Sequence, residues 1–208
     1  MVVVGGGGHA KVLLNVLCRL PTVSVLGYVD PEDRGPILGF RWLGDDDELH
    51  RMAQKHPGVA VVIGIGRVEG GSSRTALFEK LVAAGFVLPP IIAPTAVIAR
   101  DVSIGDGSVF FDGVVVQPGC RIGKLCIVNT QASLDHDCVL GDNVHIAPGA
   151  VLSGCVHVGN GSLVGVGACC KQGIRIGASC TMGAGAAVVS DCLEPGTYLG
   201  VPARLVRQ

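Results

Sequence analysis

The residues best equipped for chemistry stand in the middle of the chain, in the run Asn129-Thr130-Gln131-Ala132-Ser133-Leu134-Asp135-His136-Asp137-Cys138. His136 has a carboxylate on each side. A neighbouring carboxylate fixes the tautomer of an imidazole and raises its basicity, which suits a general base. A second candidate lies near the start, at Gly5-Gly6-Gly7-Gly8-His9-Ala10. Its Gly5-x-Gly7-x-x-Ala10 spacing matches the dinucleotide fingerprint, in which a strand turns through glycines into a helix whose free N–H groups face a phosphate. His9 at the helix start can reach a phosphate or a sugar hydroxyl. Asp30, at the end of a second apolar stretch, stands where an acid meets a ribose hydroxyl. The plain alternative is a tight strand–helix turn with no ligand.

The element that must hold His136 is a six-residue repeat. From Ile92, every sixth residue through Ile98, Ile104, Phe110 and on to Val188 is apolar, seventeen in all. Four positions after each comes a small or β-branched residue, from Ala96 to Cys192. Neither a helix, at 3.6, nor an ordinary strand, at two, explains a period of six. A parallel β-helix does, with each hexad one side of a coil. Gly105, Gly123, Gly141, Gly159 and Gly177 recur every eighteen residues, so three hexads complete one turn of a triangular prism. Glycine suits a tight corner there because it lacks Cβ and tolerates positive φ. His136 falls between two inward positions and therefore points outward. His145 follows nine residues later, half a turn around, so both could serve one site only if it is shared between subunits. Two subunits meeting side by side in this way suggest a trimer.

Residues 1–90 have a different rhythm. Val2–Val4, Val23–Val29 and Val59–Ile65 read as strands; residues after the glycine run (with Val12, Leu13, Val16 and Leu17 spaced for one face), Asp45–Lys55 behind an Asp45/Glu48 capping box, and Ser73–Ala84 read as helices. Strands alternating with helices imply a small parallel sheet. Ninety residues give only about half of a two-mononucleotide fold, so a single nucleotide fits better than a dinucleotide. Residues 91–192 form the prism, and 193–208, with Glu194-Pro195-Gly196 and Gly200-Val201-Pro202-Ala203-Arg204, an irregular tail capping its open end.

The 208 residues carry a net charge of −1, and no basic stripe or aromatic platform suggests nucleic acid. No apolar run reaches membrane-spanning length and no leader is evident, so a soluble cytoplasmic protein is expected. Of nine cysteines, six occupy inward slots of the hexads and read as small hydrophobes. Cys18, Cys155 and Cys169 fall outside, and none makes a metal-like pair with histidine; no metal is expected.

Taken together, the hexads, the His136 segment, the Gly-Val-Pro-Ala-Arg tail and the Gly-Gly-His turn resemble the bacterial sugar O- and N-acyltransferases with hexapeptide repeats. Within that group they look like the UDP-4-amino-sugar (bacillosamine pathway) N-acetyltransferase and the sialic acid O-acetyltransferase. The resemblance implies an α/β Rossmann-like N-terminal domain followed by a left-handed parallel β-helix, a homotrimer, acetyl-CoA as co-substrate, and a UDP-sugar on the N-terminal domain. It implies His136 as base, with Asp137 beside it and Asn129 at the family's asparagine position. His145, Val166 and Ala184 match acetyl-CoA contacts; Gly7, Gly8, His9, Asp30, Pro31, Gly66 and Arg67 match nucleotide contacts. Asp137 stands where some relatives have glutamate, Ala10 where some have glycine, and Gly70-Gly71 looks like a small insertion.

The expected reaction is direct acetyl transfer to the amino group of a UDP-4-amino-4,6-dideoxy sugar. No cysteine adjoins an outward histidine in the pattern, which disfavours an acyl-cysteine route. An O-acetyltransferase acting on sialic acid or another sugar, a nucleotide-sugar-binding scaffold, and a dehydrogenase are the alternatives.

Overall fold

The computed structural model describes residues 1–56, 58–66 and 72–206, and the chain divides into two compact units, Met1–Pro94 and Thr95–Gln208. In the first, β1 (Val2–Val4), β2 (Gly27–Val29), β3 (Trp42–Gly44) and β4 (Val61–Ile63) form one parallel sheet in the order β3-β2-β1-β4. β1 and β4 are unbroken valine and isoleucine, fully buried, as strands covered on both faces must be. β2 and β4 are shorter than their apolar runs because β1 offers only three residues to pair with. β3 has no counterpart among the expected strands. It is a half-buried edge strand of three residues, anchored by Trp42 Nε1 donating to the Asp30 carbonyl at 2.9 Å.

Among the described residues, three helices accompany the sheet: α1 (Gly8–Leu17), α2 (Asp46–Lys55) and α3 (Ser72–Ala83). α1 buries Ala10, Leu13, Leu14, Val16 and Leu17, whereas Val12 faces outward. Asp45 caps α2 by accepting the Asp47 N–H at 3.0 Å, while Glu48 turns to Arg51 Nε at 2.8 Å rather than back to the cap.

The second unit is a left-handed parallel β-helix. Its two-residue strands pair in parallel with those eighteen residues before and after: Arg121 with Ser103 and Val139, Ile127 with Val109 and His145, Ser133 with Val115 and Val151. Three such columns enclose the core. The large inward series is buried from Phe110 to Val188, and the small one from Ser108 to Cys192. Small-slot cysteines do more than fill space. The thiols of Cys120, Cys126 and Cys138 donate to carbonyls fifteen residues on, at 3.1 to 3.3 Å, as the Ser108 and Ser162 hydroxyls do. Burial pushes the Cys170 thiol up to about 12, so it stays an inert packing group.

Two kinds of corner divide the glycine requirement. Every sixth residue from Gly107 to Gly185 has positive φ, and six of these positions hold other residues, Asp137 and Cys155 among them. The glycines at 105, 123, 141, 159 and 177 do not adopt positive φ; close approach alone demands glycine there. A Cβ on Gly123 would lie 2.6 Å from the Gly141 carbonyl carbon, and one on Gly159 2.6 Å from that of Gly177. The tail is more regular than expected: Gly196–Leu199 adds a parallel strand beside Cys180–Met182, and Arg204–Val206 returns antiparallel to it. Among the described residues, no helix is long and apolar enough to cross a membrane.

Candidate active site

The glycine turn of the first unit is held from below. Gly5 has φ +110, and Gly6 has no room for a side chain because Tyr28 Cε2 would lie 2.7 Å from its Cβ. The Gly6 N–H donates to Asp30 Oδ2 at 2.7 Å, while Asp30 Oδ1 accepts from the Glu32 N–H at 3.1 Å and Arg34 Nε at 3.2 Å. Burial alone would raise the Asp30 pKa; the donors from Glu32, Gly6 and Arg34 outweigh it and hold the carboxyl below its usual range. Both Asp30 oxygens are thus engaged in shaping the loop, a role distinct from the ribose contact expected of it. Gly7 and Gly8 are exposed, and added Cβ atoms there would touch nothing. Gly7 is the N-cap of α1 and supplies no side-chain cap, so this open helix start can receive an anion. His9 lies against Gly66, whose added Cβ would sit 3.4 Å from His9 Cβ, and Pro31 is exposed beside Asp30. Arg34, half-exposed at the loop, escaped the sequence reading because no spacing marks it. Arg67 and Gly70-Gly71 lie outside the described residues.

In the second unit, His136 occupies the corner between the strands Ser133–Leu134 and Val139–Leu140. Its side chain is 47% exposed, its Nδ1 lies 2.8 Å from Asp137 Oδ2, and its backbone N–H donates to Asp135 Oδ1 at 2.7 Å. The hydrogen bond to Asp137 raises the imidazole pKa, helped by the nearby charge of Asp135. Asp137 makes this contact from a left-handed backbone conformation, φ 59, which aspartate tolerates better than most residues. The ring packs over Gly154, one coil on; a Cβ there would stand 2.6 Å from His136 Cε1. Cys155 follows, eighteen residues after Asp137. A nitrogen of His136, an oxygen of Asp137 and the thiol of Cys155 all lie within 4.8 Å of one another. This corrects the expectation that no cysteine adjoins an outward histidine: the coil repeat, not the sequence neighbourhood, makes the contact.

Asn129 and His145 sit at another corner. Asn129 Nδ2 is 3.4 Å from His145 Nε2, and Asn129 Oδ1 accepts the Thr130 N–H at 2.8 Å. Thr130, Pro148, Val166 and Ala184 climb the same corner at intervals of eighteen, joined by Gly149 N–H to Thr130 O, Gly167 N–H to Pro148 O and Gly185 N–H to Val166 O at 2.8 to 3.0 Å. Val166 and Ala184 are exposed, leaving a small-residue edge along which an extended chain can lie. Within one chain, therefore, His136 pairs with Asp137, whereas Asn129 pairs with His145 of the neighbouring coil on another face. A shallow groove on the next face of the prism, lined by Gln117, Ser133, Asp135, Val151 and Ser153, runs beside His136.

Known proteins share both units. Residues 1–81 match the family described as PglD N-terminal domain, and residues 119–154 the bacterial transferase hexapeptide (six repeats). A solved variant of GDP-perosamine N-acetyltransferase from Caulobacter crescentus, in complex with CoA and GDP-perosamine, is 36% identical with a TM-score of 0.93, over 100% of this chain and 96% of that one. The acetyltransferase domain of PglB from Neisseria gonorrhoeae, in complex with acetyl coenzyme A, is 35% identical with a TM-score of 0.90, over 99% and 98%. Among curated proteins, GDP-perosamine N-acetyltransferase of Escherichia coli O157:H7 is 33% identical over 81 residues, 39% of this chain and 37% of that one. Serine acetyltransferase of Staphylococcus aureus is 28% identical over 116 residues, 51% and 54%. The chain thus spans about a third to a half of the curated relatives it matches. With two solved relatives at this identity matched from end to end, the chain belongs to the hexapeptide-repeat family of bacterial sugar acyltransferases.

Proposed function

We propose that the protein transfers the acetyl group of acetyl-CoA to the amino group of a nucleotide-linked amino sugar, with His136 as general base. The observation that carries this reading is the exposed His136–Asp137 pair, an imidazole with raised basicity and a fixed ring, on a chain whose full-length relatives include complexes with CoA and an amino-sugar nucleotide. The acceptor amine attacks the thioester carbonyl while His136 takes an amine proton. A C–N bond forms, the C–S bond breaks, and His136 returns the proton to the departing thiolate. Asp137 keeps the ring oriented and stabilises the imidazolium between the two steps.

The nucleotide is assigned to the first unit, with its diphosphate at the exposed Gly7–Gly8 helix start and with His9, Pro31 and Gly66 around it. The CoA chain is assigned to the corner of Asn129, His145, Val166 and Ala184. Since these residues and His136 stand at different corners of one prism, copies of the chain are proposed to join as a trimer, with each site built from two of them. For the base of the nucleotide, the family resemblance implies a UDP-4-amino-4,6-dideoxy sugar, while the Caulobacter relative holds GDP-perosamine.

The test is to incubate the protein and acetyl-CoA with each of these two nucleotides, and with sialic acid, and to characterise the product by mass and alkali treatment. One added acetyl group, stable to mild alkali as an amide is, on either amino-sugar nucleotide supports the proposal. An alkali-labile ester, or acetylation of sialic acid alone, overturns it in favour of O-acetyl transfer.

A further inference from the structure

The corner that carries His136 holds more than a base needs. Asp137 and Cys155 occupy the same left-handed position in successive coils, with φ of 59 and 60. Parallel coils stack about 4.8 Å apart, so their side chains emerge side by side. The Cys155 N–H donates to the His136 carbonyl at 2.8 Å, which fixes the registry of the two segments. An imidazole nitrogen, a carboxylate oxygen and a thiol thereby come within 4.8 Å of one another, half-exposed to exposed. The cysteine is not a packing residue: among the described residues, Cys155 is outside the buried inward slots that six of the nine cysteines occupy.

We propose that His136, Asp137 and Cys155 form a binding site for one borderline divalent cation of the zinc class, and that its occupancy withdraws His136 from catalysis. Nitrogen, sulfur and a single carboxylate are the donor set of zinc and cobalt, not of magnesium or calcium, which take oxygen. Tetrahedral zinc holds nitrogen and oxygen ligands about 3.4 Å apart and either of them about 3.6 Å from sulfur, given its usual bond lengths. The imidazole and carboxylate, now 2.8 Å apart at Nδ1 and Oδ2, would separate by about half an ångström while the thiol closes by up to about an ångström, within reach of side-chain rotation at a surface corner. Binding displaces the thiol proton, and the thiolate and carboxylate together neutralise the cation. The fourth position stays open to water. The metal site stands on geometry alone; the inhibition rests on the proposed role of His136.

The test uses the reduced full-length chain, freed of metal, titrated with cobalt(II). A near-ultraviolet thiolate-to-cobalt absorption band is expected, displaced by zinc, indifferent to magnesium, lost in Cys155→Ala and retained in Cys18→Ser and Cys169→Ser. His136→Asn should weaken cobalt binding at least tenfold. A missing band, or one that survives Cys155→Ala, overturns the site. In parallel, zinc should inhibit acetyl transfer over the range in which it displaces cobalt, and Cys155→Ala should lose at least tenfold of that sensitivity. A band that behaves as expected beside undiminished turnover in zinc would keep the site and overturn His136 as the base.

Discussion

The 2.8 Å contact between His136 Nδ1 and Asp137 Oδ2 sets two properties of the imidazole, its orientation and its basicity. Because Asp137 raises the pKa, the ring stays protonated to a higher pH than an isolated histidine, and only the neutral ring can accept a proton. Acetyl transfer should accordingly fall on the acid side. In Asp137→Asn, where the main cause of the shift is removed, that acid limb should move to lower pH. The plateau rate of this variant should fall by less than the ~10²-fold or greater loss expected of His136→Ala. A pH–rate profile checks this, and an unmoved limb would contradict it. The adjacent pair His136-Asp137 is legible in sequence because its members are neighbours. Gly154 and Cys155 are legible only to a reader who adds eighteen to 136 and 137. Asp30 is a different case. Its position after a strand was readable, but its ties to Gly6 and Arg34 depend on how the loop folds back. Its lowered pKa means the carboxylate stabilises the fold above its unfolded value, near 4, and that this stability is lost as pH falls through the folded pKa. Thermal melts between pH 6 and pH 3 should show this loss, and Asp30→Asn should blunt it. Asp30→Ala, which strands the Gly6 N–H, should cost about 1–3 kcal/mol at neutral pH.

At the scale of elements, the eighteen-residue coil explains most of the second unit. Its period is dictated by inward residues, so sequence reveals it directly; the pairing of Ile127 with Val109 and His145 follows by arithmetic. Corner chemistry was less readable, because two different constraints both select glycine. Gly159→Ala would put Cβ 2.5 Å from the Ala178 nitrogen and 2.6 Å from the Gly177 carbonyl carbon, overpacking that should cost about 1–3 kcal/mol and loosen the coils nearby. Gly149→Ala meets open space at φ +67 and should lose only the left-handed penalty, about 1–2 kcal/mol, without loosening its neighbours. Denaturant melts and hydrogen exchange over 155–180 distinguish the two; equal local loosening would contradict the assignment of corners. In the first unit, strand lengths escaped the sequence because each strand is limited by its neighbour. Val23–Leu26 is apolar enough for a strand but has no partner in β1. β3 escaped for the opposite reason, being an edge whose hold depends on Trp42 reaching Asp30.

At the scale of the whole molecule, the chain places its proposed chemistry at His136 and its proposed carrier contacts at Asn129 and His145, on different corners. The proposed site, built from two copies, would bring them together. Light scattering should give about 64 kDa, three times the chain's 21.2 kDa, and a monomer that turns over at full rate would contradict the shared site. The fold class was legible from two periodicities, six residues in one unit and strand–helix alternation in the other. The nucleotide's base was not, since reading it depends on loop contours that no spacing encodes. The measurement closest to the central claim is release of free CoA thiol from acetyl-CoA on addition of GDP-perosamine or a UDP-4-amino-4,6-dideoxy sugar, comparing the wild-type chain with His136→Ala. The wild type should release thiol only with acceptor present, and the variant should lose ~10²-fold or more of this release while its assembly state and any nucleotide binding match those of the wild type. Release that persists undiminished in His136→Ala, or that ignores the acceptor, would contradict it.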